Sequence, residues 1–263
     1  MKKLLSVLLA VALIGCTFAA CGKKDGSKTT SDLEYIKEKG TLIIGMTDYE
    51  PMNFKDADGQ WTGFDTEFAQ AVGKKLGVKV KFIELVDWDE KYTELDSKSI
   101  DSIWNGMTIT DEGKMNASIT NPYIHNAQVV VMAKDKLASY PDAASMKNLK
   151  FAVENGSAGA SAAQENGFTN VTAMGNQSDA LLEVASGSVD ACIIDITMAD
   201  SMTGEGTSYA NFGYSFELTS EEYGIAFRKG SDMTAEVNKI MAELMQDGTL
   251  DALAEKYQLK LIK

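Results

Sequence analysis

The sequence predicts an α/β protein of two lobes, each a mostly parallel sheet flanked by helices, with the lobes joined by a two-stranded hinge. Three observations carry this expectation. Short apolar runs alternate with stretches whose apolar residues recur every three or four positions, the pattern of strand–helix–strand units. The alternation starts afresh after Lys134. No low-complexity or proline-rich linker separates the halves, whose only prolines are Pro51, Pro122 and Pro141.

Taken in order, "TLIIGM", "VKVKFIEL", "IDSIWNG" and "AQVVVMA" read as strands, and "DTEFAQAVGKKLG" and "WDEKYTELDSK" between them read as helices. Strand, helix, strand implies parallel pairing. The second unit runs "LKFAVENG", "AGASAAQENG", "NVTAMG", "SDALLEVASGS" and "VDACIID". "FELTSEEYGIAFRKG" then reads as a strand, followed by two helices, "AEVNKIMAELMQDG" and "TLDALAEKY", with Gly248 as the C-cap between them. The missing linker suggests that "QVVVMAK" crosses out and "FELTSEEYG" crosses back, so that the last helices rejoin the first lobe.

The first residues decide the compartment. Lys2 and Lys3 precede "LLSVLLAVALIG", an apolar stretch too short for a finished membrane-spanning helix and followed by small residues and cysteine, which is the pattern of a secretion leader. Cys21 after "FAA" and Cys16 after "LIG" both resemble a lipobox. Cys21 is the expected lipidation site, because polar "GKKDGSKTT" behind it suits a flexible tether. The expected organisation is a leader at 1–20, a tether at 21–32, a first lobe at 33–130, a second lobe at 131–216, and a return to the first lobe at 217–263. The protein is then extracytoplasmic, lipid-anchored to the cell membrane and monomeric.

Charge and composition remove several function classes. Loss of the leader's two lysines moves the net charge from −13 to −15, which argues against nucleic acid as a partner. Cys192 is the one cysteine inside the folded part, so no disulfide staples it, and within "DACIID" it reads as a buried thiol. With one histidine, His125, a zinc centre or a Ser-His-Asp device has almost nothing to be built from. No metal, no cofactor and no catalytic residue is expected.

Several stretches in a fixed order then matter together: "TDYEPMNF", "GFD" opening a helix, "LDSKSIDSIWNGMTIT", "NPYI", "AVENGSAG", "SGSVDACIID" and "EEYGIAFRKGSD". Over essentially the whole mature chain they resemble the extracytoplasmic solute-binding proteins of polar amino-acid ABC importers, with the type II periplasmic-binding-protein fold. The resemblance implies an amino-acid ligand, and a permease and an ATPase as partners. It also implies roles for residues: Tyr49 packs over the ligand and Trp88 forms a second wall. Gly106 and Thr108 would offer a carbonyl to the ligand amine and an N–H and hydroxyl to its carboxylate. Ser157 opens a helix whose N-terminus favours an anion. Asp195 falls where the family pairs an acid with the α-amine, and it is also placed as an N-cap for "ITMADSM"; both roles can hold.

One position departs from the pattern. Where the family writes an arginine that forks onto the ligand carboxylate, this chain has Gly113, and its single arginine is Arg228. Lys114 could point inward only with the helix turned by about 100 degrees. Glu154, Asp48, Glu50 and Glu222 lie near cleft-facing segments and suggest an acidic pocket. The expected function is membrane-anchored capture of an amine-bearing polar solute for import. The alternative is a dehydratase-like enzyme on the same fold.

Overall fold

The computed structural model describes residues 31–263, so the leader, most of the tether, and both Cys16 and Cys21 lie outside the described residues. The first lobe begins with α1 (Asp32–Lys39), which Ser31 caps by accepting the Glu34 N–H at 3.0 Å, inside the stretch expected to be tether. β1 (Thr41–Met46) follows. A short hairpin, β2 (Phe54–Lys55) and β3 (Trp61–Thr62), leads into α2 (Phe64–Leu76). Phe64, Phe68, Val72 and Leu76 recur every four residues along α2 and all are buried. β4 (Lys79–Glu84), α3 (Lys91–Asp96), β5 (Ser102–Ile103), α4 (Asp111–Asn116) and β6 (Ala117–Ile119) complete this pass.

β7 (Ile124–Asn126) leaves the lobe, and β8 (Gln128–Ala133) starts the second one. There β9 (Phe151–Glu154), α5 (Ala158–Glu165), β10 (Val171–Met174), α6 (Gln177–Ser186), β11 (Ala191–Asp195), α7 (Ile196–Met202) and β12 (Phe212–Gly213) alternate as the sequence predicts. The chain returns through β13 (Glu221–Tyr223) and β14 (Ala226–Arg228), then ends in α8 (Met233–Gln246) and α9 (Thr249–Lys256), which pack on α2.

The two five-stranded sheets have the same plan. Their orders are β4-β1-β5-β14-β6 and β10-β9-β11-β8-β12. In the first, β1 pairs parallel with β4 and β5, and β14 runs antiparallel between β5 and β6. In the second, β9 pairs parallel with β10 and β11, and β8 runs antiparallel between β11 and β12. β8 is buried on both faces, with Val129 and Val131 turned to one core and Val130 and Met132 to the other, which is why it reads as an unbroken apolar run.

The crossing differs from expectation. β7 and β13 form the two-stranded link, with Glu221 opposite Asn126 and Tyr223 opposite Ile124. Gln128–Val130, assigned by sequence to the first lobe, pair inside the second lobe's sheet. The return run likewise divides into two strands, one in the hinge and one in the first sheet. Arg228 on β14 is 8% exposed and forks onto Asp32 while donating to Ile100 O at 2.9 Å, so it holds the lobe together, away from any ligand.

Candidate ligand cleft

The lobes meet along a cleft formed by the carboxyl ends of β1, β5, β9 and β11, the place where open α/β sheets bind ligands. They touch through side chains. Thr47 donates to Glu154 Oε1 at 3.0 Å, Lys91 Nζ to Gly156 O at 3.1 Å, and Asn155 Nδ2 to Asp87 Oδ1 at 3.0 Å. Trp88, Gly106, Thr108, Ser157 and Asp195 all line this space.

Local structure explains each placement. Asp87 caps a short 3-10 turn, Trp88–Glu90, that sets the indole into the cleft. Gly106 has φ +53, and its N–H donates to Asp65 Oδ2 at 2.6 Å, so the buried acid in the first turn of α2 fixes the loop. Thr108 bridges Tyr223 on the hinge, but that bridge takes its bonds from the Ile109 and Gly224 N–H groups, leaving the Thr108 N–H unused by the hinge strand. Its hydroxyl donates to Glu221 at 2.9 Å. Ser157 caps α5 by accepting the Ala160 N–H at 3.1 Å.

Asp195 ends β11 at 4% exposure. It stands at the N-cap position of α7 but makes no side-chain capping bond there. Its carboxyl instead accepts from Gln128 Nε2 at 2.8 Å and from the amides of Asn126 and Gln177. Burial and then Glu221 push its pKa up to about 7 against those hydrogen bonds.

Tyr49 is the expected wall residue that the structure puts elsewhere. It is 1% exposed, and its hydroxyl meets those of Thr197 and Tyr223. A Cβ on Gly106 would stand 2.7 Å from Tyr49 Cε1, so the missing side chain lets the ring pack against the loop. The acids divide as well. Glu154 is 3% exposed and lines the cleft, its pKa pushed up to about 8 by burial first. Glu50 accepts from Ser201 at 3.1 Å, and Glu222 faces His125 at 3.8 Å on the hinge. Asp48 is half-buried, its pKa raised by burial and Glu84.

Gly113 is buried in α4, where a Cβ would stand 3.0 Å from the Tyr92 hydroxyl. Lys114 is exposed and pairs with Asp111 at 3.8 Å, lining a different surface hollow. The cation of the cleft is Lys91, which sequence reasoning missed. It opens α3, is 7% exposed, and lies 5.1 Å from the Trp88 ring centroid and 5.0 Å from that of Tyr92. Burial lowers its pKa against the pull of Asp89 and Glu154. The available signal was its place three residues after Trp88, on the same helical face.

Two sheets joined by two strands, with ionisable groups turned into the space between them, define a two-lobed solute-binding protein of the type II periplasmic-binding-protein fold. The chain belongs to the bacterial extracellular solute-binding proteins, family 3, whose family model matches residues 42–260. It is 32% identical to the L-cystine-binding protein TcyJ of Escherichia coli K12, over 86% of this chain and 85% of that one. It is 31% identical to the arginine-binding extracellular protein ArtP of Bacillus subtilis, over 98% of each. Among solved structures, an ArgBP mutant from T. maritima superposes with a TM-score of 0.80 at 31% identity, covering 86% of this chain and 98% of that one. An ancestral amino-acid-binding protein, described as a precursor of cyclohexadienyl dehydratase, gives 0.78 at 34% identity, covering 86% and 99%. Among the described residues no helix is long and apolar enough to cross a membrane.

Proposed function

We propose that this protein is the lipid-anchored receptor of an ABC importer, a monomer and not an enzyme, that captures an amine-bearing polar amino acid between its lobes. It delivers that ligand to a permease driven by its ATPase. The observation that carries the reading is Asp195, a buried acid at a strand's carboxyl end, in a cleft whose walls come from both lobes. An acid so desolvated is stabilised by a cation, and the ligand's α-amine supplies one. The cystine- and arginine-binding relatives support an amino acid as ligand.

Calorimetry of the wild type and Asp195→Asn with a panel of amino acids tests this. A charge-assisted hydrogen bond contributes about 1.5 to 3 kcal/mol, so the variant should bind tenfold to hundredfold more weakly, on the order-of-magnitude scale. Unchanged affinity, or a ligand recovered chemically altered after the protein is denatured, would overturn the reading. For the anchor, acyl chains on Cys21 hold the protein by about 0.8 kcal/mol per buried CH₂. Cys21→Ala should therefore release it from the membrane fraction. Retention by Cys21→Ala with release of Cys16→Ala transfers the anchor to Cys16, and retention of both variants removes the claim.

A further inference from the structure

We infer that Glu154 and Lys91 tune this cleft to an amino acid with a cationic side chain, Glu154 taking the side-chain nitrogen and Lys91 the carboxylate. The inference rests on the reading of the cleft as an amino-acid site and adds the class of amino acid and the residues that select it.

The first support is the balance of charge. Glu112, Glu154 and Asp195 line the cleft, and Glu221 adjoins it, with Asn126 and Gln128 each donating to both Asp195 and Glu221. Lys91 is the buried cation beside them. Burial favours the protonated forms of Glu154 and Asp195; a zwitterionic ligand with a neutral side chain leaves one of them so, whereas a ligand of net charge +1 stabilises both as carboxylates.

The second support is the place of Glu154. It ends β9 as Asp195 ends the neighbouring β11, so the two carboxyl groups enter the cleft from one sheet. Each acid is the other's neighbour: Asp195 is one of the charges that raise the Glu154 pKa, and a Gln177 hydrogen bond lowers both. Thr47 donates to Glu154 Oε1, and no lysine or arginine forms an ion pair with it among the described residues. With the α-amine assigned to Asp195, Glu154 is a second buried acid that a second ligand cation satisfies. Such an acid left ionised and unpaired carries a large desolvation cost.

The third support is Lys91. The position expected to carry a carboxylate-binding arginine is Gly113, where even a Cβ would stand 3.0 Å from the Tyr92 hydroxyl, so a side chain there requires Tyr92 to shift. Lys91 enters from α3, between the Trp88 and Tyr92 rings, and its hydrogen-bond acceptors are the carbonyls of Trp88 and Gly156. Carbonyls carry no formal charge. Asp89, Glu154 and Glu112 attract this ammonium without forming an ion pair with it, and a ligand carboxylate is the direct counter-ion it would gain.

Calorimetry with two ligand pairs tests both roles. Arginine against citrulline changes the side-chain charge at constant shape, and arginine against agmatine removes the carboxylate. The wild type should prefer arginine to citrulline on the order of a hundredfold, and Glu154→Gln should shrink that preference to below about tenfold. Lys91→Met should narrow the gap between arginine and agmatine while leaving the arginine-to-citrulline ratio largely intact. Wild-type binding of citrulline or glutamine as tight as arginine overturns the inference and leaves amino-acid capture standing, and this readout needs no variant to fold. A Glu154→Gln protein that keeps the full arginine preference also overturns it. Binding of no amino acid at all removes the reading of the cleft itself.

Discussion

Asp65 gives the cleanest route from a buried group to a measurable pH dependence. It lies in the first turn of α2 with no exposure, and it accepts the Gly106 N–H at 2.6 Å and the Tyr123 hydroxyl at 2.8 Å. Burial pushes its carboxyl from the ordinary 3.8 up to about 7, and the two hydrogen bonds hold it below where burial alone would set it. An acid raised on folding binds its proton more tightly in the folded chain. The stability it contributes is therefore fully present below about pH 4 and is lost as pH climbs through about 7. The span from 3.8 to about 7 corresponds to about 4 kcal/mol. Asp65→Asn removes that titration at the cost of a weaker acceptor for Gly106, about 1 to 3 kcal/mol. Urea unfolding of the ligand-free protein from about pH 4.5 to about pH 8 should show the variant gaining on the wild type by about 3 kcal/mol, the rest of the span lying below about pH 4.5. Glu154 and Asp195 titrate in the same range, but both proteins contain them, so they cancel in the difference. A difference that stays constant across the range refutes the assignment.

Gly113→Arg should fail to tighten binding of zwitterionic amino acids, because its Cβ stands 3.0 Å from the Tyr92 hydroxyl and its charge enters beside Lys91. Adding Tyr92→Ala should recover a gain of roughly tenfold, and calorimetry showing a gain from the single substitution would disprove the crowding. Arg228→Ala strands Asp32, while Asp101 keeps Lys39 at 2.6 Å, and should cost about 3 kcal/mol in urea unfolding, with Arg228→Lys intermediate because it keeps the charge without the fork. A loss under about 1 kcal/mol in the alanine variant would show that the fork is solvated.

The fold was legible because each core face writes its own period: every fourth residue from Phe64 to Leu76, and an unbroken apolar run in β8. The crossing point was not. "IHNAQVVVMA" is extended almost throughout, and no glycine or proline marks the change of sheet at Ala127. Asp195 was legible as an acid closing a β-branched strand. Lys91 was not, because a lysine in the first turn of a short helix reads as solvated. It is buried by the carbonyl of Gly156, which sequence distance hides. The contact of Tyr49 with Gly106 was not legible, because it depends on Gly106 having no side chain.

Moving the cleft's cation from α4 to α3 also changes what closure costs. An arginine at 113 would bring its charge from within the first lobe alone, whereas Lys91 is held by Gly156 of the second lobe across the cleft. Its ammonium is fully desolvated only when the lobes meet, and the same contact buries Glu154 against Thr47. Closing an empty cleft thus withdraws a lysine and at least two acids from water together, with carbonyl, hydroxyl and amide groups as their chief partners. A ligand carrying both signs of charge supplies counter-ions at the moment the cleft shuts, and the free energy of closure becomes conditional on it. The arrangement that selects the ligand is therefore the arrangement that couples its arrival to closure, with Lys91 and Glu154 as the groups through which both effects run.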